Sequence, residues 1–244
     1  MARPLRIDVG GYCYHVINRA NARYRMFRTD EDFAAFERVL ALAVQRAAGE
    51  VELLSYCLLG NHWHLVLRLP EECHGAMGRF MKWLTTTHVG RYRVAHGQAG
   101  VGHLYQGRYK SFLIQDDAHL LTVCRYVERN AARASEVVRA QDWPWSSLHR
   151  WRKPKAYADQ DPPLLLSPWP IAGEQTLVVD GSGRPRSWLR TVNTPLNEDE
   201  LAALRIAANR CRPYGSTQWV NQVVAQFGLE STVRSPGRPK TKGL

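Results

Sequence analysis

The stretch Leu58-Leu59-Gly60-Asn61-His62-Trp63-His64-Leu65-Val66-Leu67 is the part of the chain from which the fold can be read. Gly60-Asn61 is a turn pair between two apolar runs, residues 52–59 and 63–69, and predicts a β-hairpin. Side chains on its second strand alternate between faces. His62 and His64 therefore share one face, while Trp63 and Leu65 point the other way and anchor a core. Two imidazoles side by side on a strand are a ready pair of metal ligands.

An isolated His-x-His more often marks a solvated sheet face. Here an apolar residue separates the histidines and a tight turn precedes them. The pattern resembles the His-apolar-His strand from which the HUH endonucleases take their name, enzymes that cut single-stranded DNA with a tyrosine. A chain of that kind must also supply the tyrosine and a third metal ligand.

Working outward, residues 11–18 alternate as a strand, with Tyr12, Tyr14, Val16 and Asn18 on one face and Cys13, His15 and Ile17 on the other. Residues 18–26 read as an arginine-bearing loop. Thr29 or Asp30 caps a helix with the stripe Phe33, Phe36, Val39, Leu40 and Ala43. After the hairpin, residues 75–94 form a long helix with Met77, Phe80, Met81, Leu84 and His88 at helical spacing. Residues 95–107, with Gly97, Gly100, Gly102 and Gly107, read as a flexible loop, since the order strand–GxGxxG–helix is missing. Residues 108–115 are a strand, and Asp116 or Asp117 caps a helix from 118 to about 134. The order β-α-β-β-α-β and then a helix gives an α+β fold: a ferredoxin-like antiparallel sheet with helices on one side and the other face left to hold the histidines.

Beyond Trp143-Pro144-Trp145-Ser146-Ser147 the texture changes. Pro154, Pro162, Pro163, Pro168, Pro170, Pro185 and Pro195 are more than half of the chain's 13 prolines. Residues 151–196 read as a connector packed on the 1–150 domain through Trp145, Trp151, Trp169 and Trp188. Residues 197–244 form a helical, basic extension. Asn197 with Glu200 opens one helix, and Ser216 or Thr217 opens another that Gly228 stops. From Arg205 onward seven Lys or Arg face one Glu, and the chain ends in a Gly237-Arg238-Pro239 tail suited to a narrow minor groove.

The 244 residues carry a net charge of +11, with pI near 9.7, which points to a polyanion, and to nucleic acid over membrane. Apolar residues make up 45%, enough to fill a core. There is neither an eighteen-residue apolar run nor a signal-peptide core at the start. The five cysteines are scattered without a CxxC pair, so a reduced cytoplasm is the expected setting.

Of the ten tyrosines, Tyr12, Tyr14, Tyr56 and Tyr109 fall in strands and read as packing residues. Tyr126 lies mid-helix, four residues before Asn130, so the two share a helical face about one turn apart. That spacing lets an Asn130 amide oxygen reach a metal while Tyr126 reaches the same phosphate.

Several motifs in order resemble the REP-associated tyrosine transposases, single-tyrosine HUH relatives of the insertion-sequence transposases. They are Tyr14-His15-Val16-Ile17-Asn18-Arg19, Asn61 to Val66, Gly102-His103-Leu104-Tyr105-Gln106-Gly107-Arg108, Tyr126-Val127-Glu128-Arg129-Asn130, Trp143 to Ser147, and Leu229-Glu230-Ser231-Thr232 before Gly237-Arg238-Pro239. Gly60 stands where relatives usually have proline, and Ala20 where they often have glycine. Both are turn positions. The resemblance implies a metal-dependent endonuclease and transposase that cleaves and rejoins hairpin-forming REP DNA through a 5′-phosphotyrosine. Tyr126 would be the nucleophile, His62, His64 and Asn130 the ligands of Mg²⁺ or Mn²⁺, and Arg19, Arg108, Lys110, Arg234, Arg238 and Lys240 contacts to DNA. A non-catalytic protein bound to the same repeats is the alternative, and a zinc hydrolase using the histidine pair a third. Strand scission separates the first two, and survival of activity without Tyr126 would mark the third.

Overall fold

A computed structural model describes residues 6–98, 100–115, 118–170 and 182–234. Four strands, β1 (Cys13–Arg19), β2 (Glu52–Leu59), β3 (His62–Arg68) and β4 (Lys110–Ile114), form an antiparallel sheet in the order β2-β3-β1-β4. The crossovers are α1 (Asp30–Ala47) and α2 (Ala76–Ala95), which completes the ferredoxin-like arrangement. There follow α3 (Ala118–Glu128), α4 (Asn130–Arg133), α5 (Ser147–Arg152), α6 (Trp188–Asn193), α7 (Glu198–Arg210), α8 (Thr217–Phe227) and α9 (Glu230–Val233). The Asp116 and Asp117 capping positions lie outside the described residues.

Period-2 alternation sorts the sheet into two cores. Tyr14, Val16, Tyr56, Leu58, Trp63, Leu65 and Leu67 pack against the α1 and α2 stripes, and Trp63, Leu65 and Phe36 are fully buried. The crossover helices thus occupy one side, as the order of elements requires. The opposite face carries His62 and His64, but also Cys13, Cys57, Val66, Phe112 and Ile114, and these apolar side chains need a cover of their own. Leu120, Val123, Tyr126 and Val127 of α3 supply it, joined by Val192 of α6 and by Leu204 and Ala207 of α7.

Both sheet edges are closed by later chain. At β2, Leu58 N–H donates to Trp145 O at 2.9 Å, Trp143 Nε1 to Leu58 O at 2.8 Å, and Tyr56 N–H to Ser147 Oγ at 3.1 Å. Trp169 Nε1 donates to Leu54 O at 2.8 Å, at the register shift between Leu53 and Ser55. At β4, Tyr214 N–H donates to Leu113 O at 2.8 Å and Gln115 N–H to Tyr214 O at 3.0 Å. An unpaired edge invites pairing with another chain, and here Trp143 to Ser147, Trp169 and Tyr214 remove that opportunity.

Two details depart from the sequence reading. The helix expected from 118 to about 134 breaks at Arg129 into α3 and α4, although Arg133 N–H still donates to Arg129 O at 2.9 Å. The segment read as a flexible loop is pinned at buried Tyr105. Its hydroxyl accepts from Trp63 Nε1 at 3.1 Å and lies 2.7 Å from His88 Nδ1, and Tyr105 pairs with Ala20. Glycine content alone hides an aromatic anchor.

Candidate active site

Residues directly opposed in an antiparallel ladder point to the same face. His62 opposes Arg19 on β1 and Leu59 on β2, while His64 opposes Ile17 and Cys57. Ile17 in turn opposes Lys110 on β4, so Arg19, Lys110 and both histidines share one face. His64 is buried, and its ring centroid lies 5.1 Å from that of His62.

Each histidine has its Nδ1 engaged. His62 Nδ1 lies 2.6 Å from Asn61 Oδ1; an amide oxygen only accepts, so the proton is on His62 Nδ1 and the Nε2 lone pair is free. His64 Nδ1 lies 2.8 Å from Nε2 of His15, which is wholly buried on β1. His64 Nε2 is buried without a hydrogen-bond partner in the structure. Burial, and then the charges of Arg19 and Arg133, lower the His62 pKa to about 4. Burial first, and then His15, His62 and the same two arginines, hold His64 well below the ordinary imidazole value. Both rings are therefore neutral near pH 7, the form that ligates a metal.

α3 carries Tyr126 over this pair. Its ring meets that of His64 edge-on, centroids 5.8 Å apart, and that of His15 at 6.3 Å. Asn130, one turn further along, is wholly buried. Its Oδ1 accepts from Arg133 Nη2 at 2.7 Å, and its Nδ2 is buried and unpartnered. The Arg133 guanidinium stands 5.3 Å from the centre of the Tyr126 ring. Among the described residues, no three His, Cys, Asp or Glu side chains gather around one point. The side-chain chemistry suited to a divalent ion is thus two imidazole nitrogens, one of them an orphaned buried atom, with the Asn130 amide oxygen at the start of α4 already accepting from Arg133.

The cations picked from sequence fall into separate places. Arg19, Arg108 and Lys110 line one recess of about 300 Å³, together with Asn18, Gln106 and Asn209. Arg234 is exposed after α9 and lies at the end of the described chain, and Arg238 and Lys240 lie outside the described residues. Two neighbours escaped the sequence reading. Arg133 follows Asn130 by three residues, within reach on a helix. His15 sat on the correct face of β1 by alternation, but only pairing of β1 with β3 brings it to His64.

Glu128 fixes α3 from behind. Wholly buried, it accepts from Ser147 Oγ at 2.6 Å, Trp188 Nε1 at 2.7 Å and Arg184 Nη2 at 3.1 Å. On the same helix Arg125 donates to Thr194 O at 2.9 Å and Pro195 O at 2.7 Å, and nearby Arg129 donates to Asn193 O at 2.7 Å. The proline-rich connector is therefore strapped to the helix that carries Tyr126.

Comparison with known proteins agrees with the fold. Residues 8–130 match a family described as "Transposase IS200 like". A Haemophilus influenzae protein described as a REP-associated tyrosine transposase is 28% identical over 117 residues, covering 44% of this chain and 65% of its own length. The chain thus aligns to somewhat less than two thirds of that relative. A solved structure described as a REP-associated tyrosine transposase bound to a REP hairpin superposes with a TM-score of 0.50. It covers 62% of this chain and 84% of its own, at 20% identity, which supports a shared fold. Among the described residues no helix is long and apolar enough to cross a membrane.

Proposed function

Because the chain belongs to the IS200-like transposase family, we propose that it nicks and rejoins hairpin-forming single-stranded DNA of the REP type through a covalent link to Tyr126. The observation that carries this reading is the placement of the Tyr126 ring 5.8 Å from His64, over a pair of neutral imidazoles. The likeness to a transposase described as bound to a REP hairpin, and a net charge of +11, support the substrate.

His62, His64 and Asn130 would hold Mg²⁺ or Mn²⁺, which supplies Lewis-acid polarisation of the scissile phosphate. Two imidazoles favour Mn²⁺ by ligand softness. Arg19 and Arg133 are both close enough to lower the His62 pKa, so a phosphate entering here meets two guanidinium groups. The Tyr126 oxygen attacks phosphorus as the bond to the 3′ oxygen breaks. The phenol gives up its proton, the leaving 3′ oxygen gains one, and the 5′ phosphate stays esterified to tyrosine. Since one phosphoester replaces another, a 3′ hydroxyl can reverse the step without ATP.

Incubation with a REP-type hairpin oligonucleotide and Mn²⁺ tests the proposal. The expected product is a protein–DNA species that survives SDS and maps to Tyr126 by peptide mass. Scission without any adduct would mean that water, not tyrosine, attacks.

A further inference from the structure

On the reading that His62 and His64 hold a divalent ion, we propose that His15 is the positioning residue that aims His64 at it. His15 accepts the His64 Nδ1 proton and so leaves the His64 Nε2 lone pair to the metal.

One proton lies between His15 Nε2 and His64 Nδ1, which are 2.8 Å apart. If it sits on His15, neutral His64 must carry its own proton on Nε2. That atom is buried with no acceptor beside it, and a protonated Nε2 cannot ligate a metal. If it sits on His64, His15 carries its own proton on Nδ1, which is also buried without a partner. Either arrangement leaves one N–H unpaired, but only this one makes His64 Nε2 a lone-pair donor, so a metal at Nε2 selects it. His62 is held in the corresponding form by Asn61, whose Oδ1 can only accept from Nδ1, 2.6 Å away. The two ligands thus offer the same ring nitrogen, and Asn61 and His15 are equivalent supports behind them.

Metal-ligating histidines commonly donate their second N–H to a carboxylate, a carbonyl or water. An imidazole acceptor suits this place because the surroundings are apolar. The His15 ring centroid lies 4.8 Å from Phe112 and 5.0 Å from His64, and the side chain has no exposure. A carboxylate there would be a buried charge facing neutral rings, which is costly. His15 is not itself a third ligand in this arrangement, since its Nε2 accepts from His64 and its Nδ1 carries the proton.

Mn²⁺ titration of the full-length protein, followed by electron paramagnetic resonance, tests this against His15→Phe and His15→Gln. The Phe variant fills the space without an acceptor; the Gln side-chain oxygen can reach the place of Nε2. His15→Phe is expected to bind Mn²⁺ about ten- to a hundredfold more weakly than wild type, the usual cost of removing such a support. His15→Gln should stay close to wild type. Hairpin binding in EDTA, equal for all three proteins, reports that each is folded. Equal Mn²⁺ affinity of wild type and His15→Phe overturns the role of His15, as does a Gln variant as weak as the Phe variant. A wild-type protein that binds no Mn²⁺ removes the ligand pair itself, and His15 with it.

Discussion

The Tyr126 ring stands edge-on to that of His64, with centroids 5.8 Å apart and planes at 87°. One residue comes from the helix that follows the four-strand motif and the other from its central hairpin, so the geometry depends on the packing of α3 on the sheet. Among the described residues no hydrogen bond reaches the Tyr126 hydroxyl, and the ring makes the helix's contact with His15 and His64. Tyr126→Phe keeps that contact. Its stability should lie within about 1 kcal/mol of wild type, measured by urea unfolding, and its hairpin affinity should be unchanged, while nicking and adduct formation disappear. Cleavage by the Phe variant at the wild-type rate would exclude Tyr126 as nucleophile.

His64→Ala removes one of the two imidazoles. The expected outcome is loss of Mn²⁺-dependent nicking with hairpin binding largely retained, because lysine and arginine contacts to phosphate supply most of the affinity. Gel shift and nicking assays on the same protein separate the two effects. Nicking by wild type that persists in EDTA would exclude the metal.

Arg184 and Glu128 form an ion pair with side chains 1% and 0% exposed. Breaking such a pair from one side strands a buried charge and costs about 3–5 kcal/mol. Arg184→Met should be destabilised by that order in urea unfolding, and adding Glu128→Gln should recover part of the loss. A single variant as stable as wild type would show that Trp188 and Ser147 satisfy Glu128 without the arginine.

Burial lowers the pKa values of His15 and His88 to about 3. In the unfolded chain both titrate near 6.5. The folded state therefore takes up fewer protons as pH falls between those values, and stability is full above pH 6.5 and declines below it. The slope from each is about 1.4 kcal/mol per pH unit. His88→Gln should remove one histidine's share from the acid limb while leaving the limb's direction unchanged. Urea unfolding at pH 7, 6 and 5 reads it, and an unchanged slope would mean that His88 protonates in place.

Removing residues 235–244 deletes Arg238, Lys240 and Lys242. If each neutralises a phosphate, the log–log salt dependence of DNA binding should flatten by about 0.7–0.9 per residue, with nicking of the bound hairpin preserved. An unchanged slope would remove the tail from the interface.

Much of this architecture is legible from alternation and caps. The hairpin at Gly60-Asn61, the Thr29 and Asn197 helix starts and the opposed faces of β1 and β3 follow from local periodicity, and the structure has them. The rings of His62, His64 and Tyr126 come close together on the histidine face, and Asn130 is buried one turn beyond Tyr126. What local pattern could not carry is contact between distant segments. His15 meets His64 through strand pairing, and Arg133 takes the Asn130 oxygen through side-chain reach. The proline-rich stretch reads as a connector, but its tie to Glu128 depends on a buried carboxylate whose partners lie on β2, on α5 and in the stretch 184–188.

That tie has a consequence in time. Proteins are made from the N-terminus, and Arg184 is added 56 residues after Glu128. At about 5–20 residues per second, roughly 3–11 s separate the two. During that interval Glu128 has no counter-charge, and seating the tyrosine helix on the sheet would bury its carboxylate with only the hydroxyls of Ser55 and Ser147 to meet it. A nascent chain thus gains the arginine partner of Glu128 only after the candidate centre's own motifs, His62, His64, Tyr126 and Asn130, have all been made.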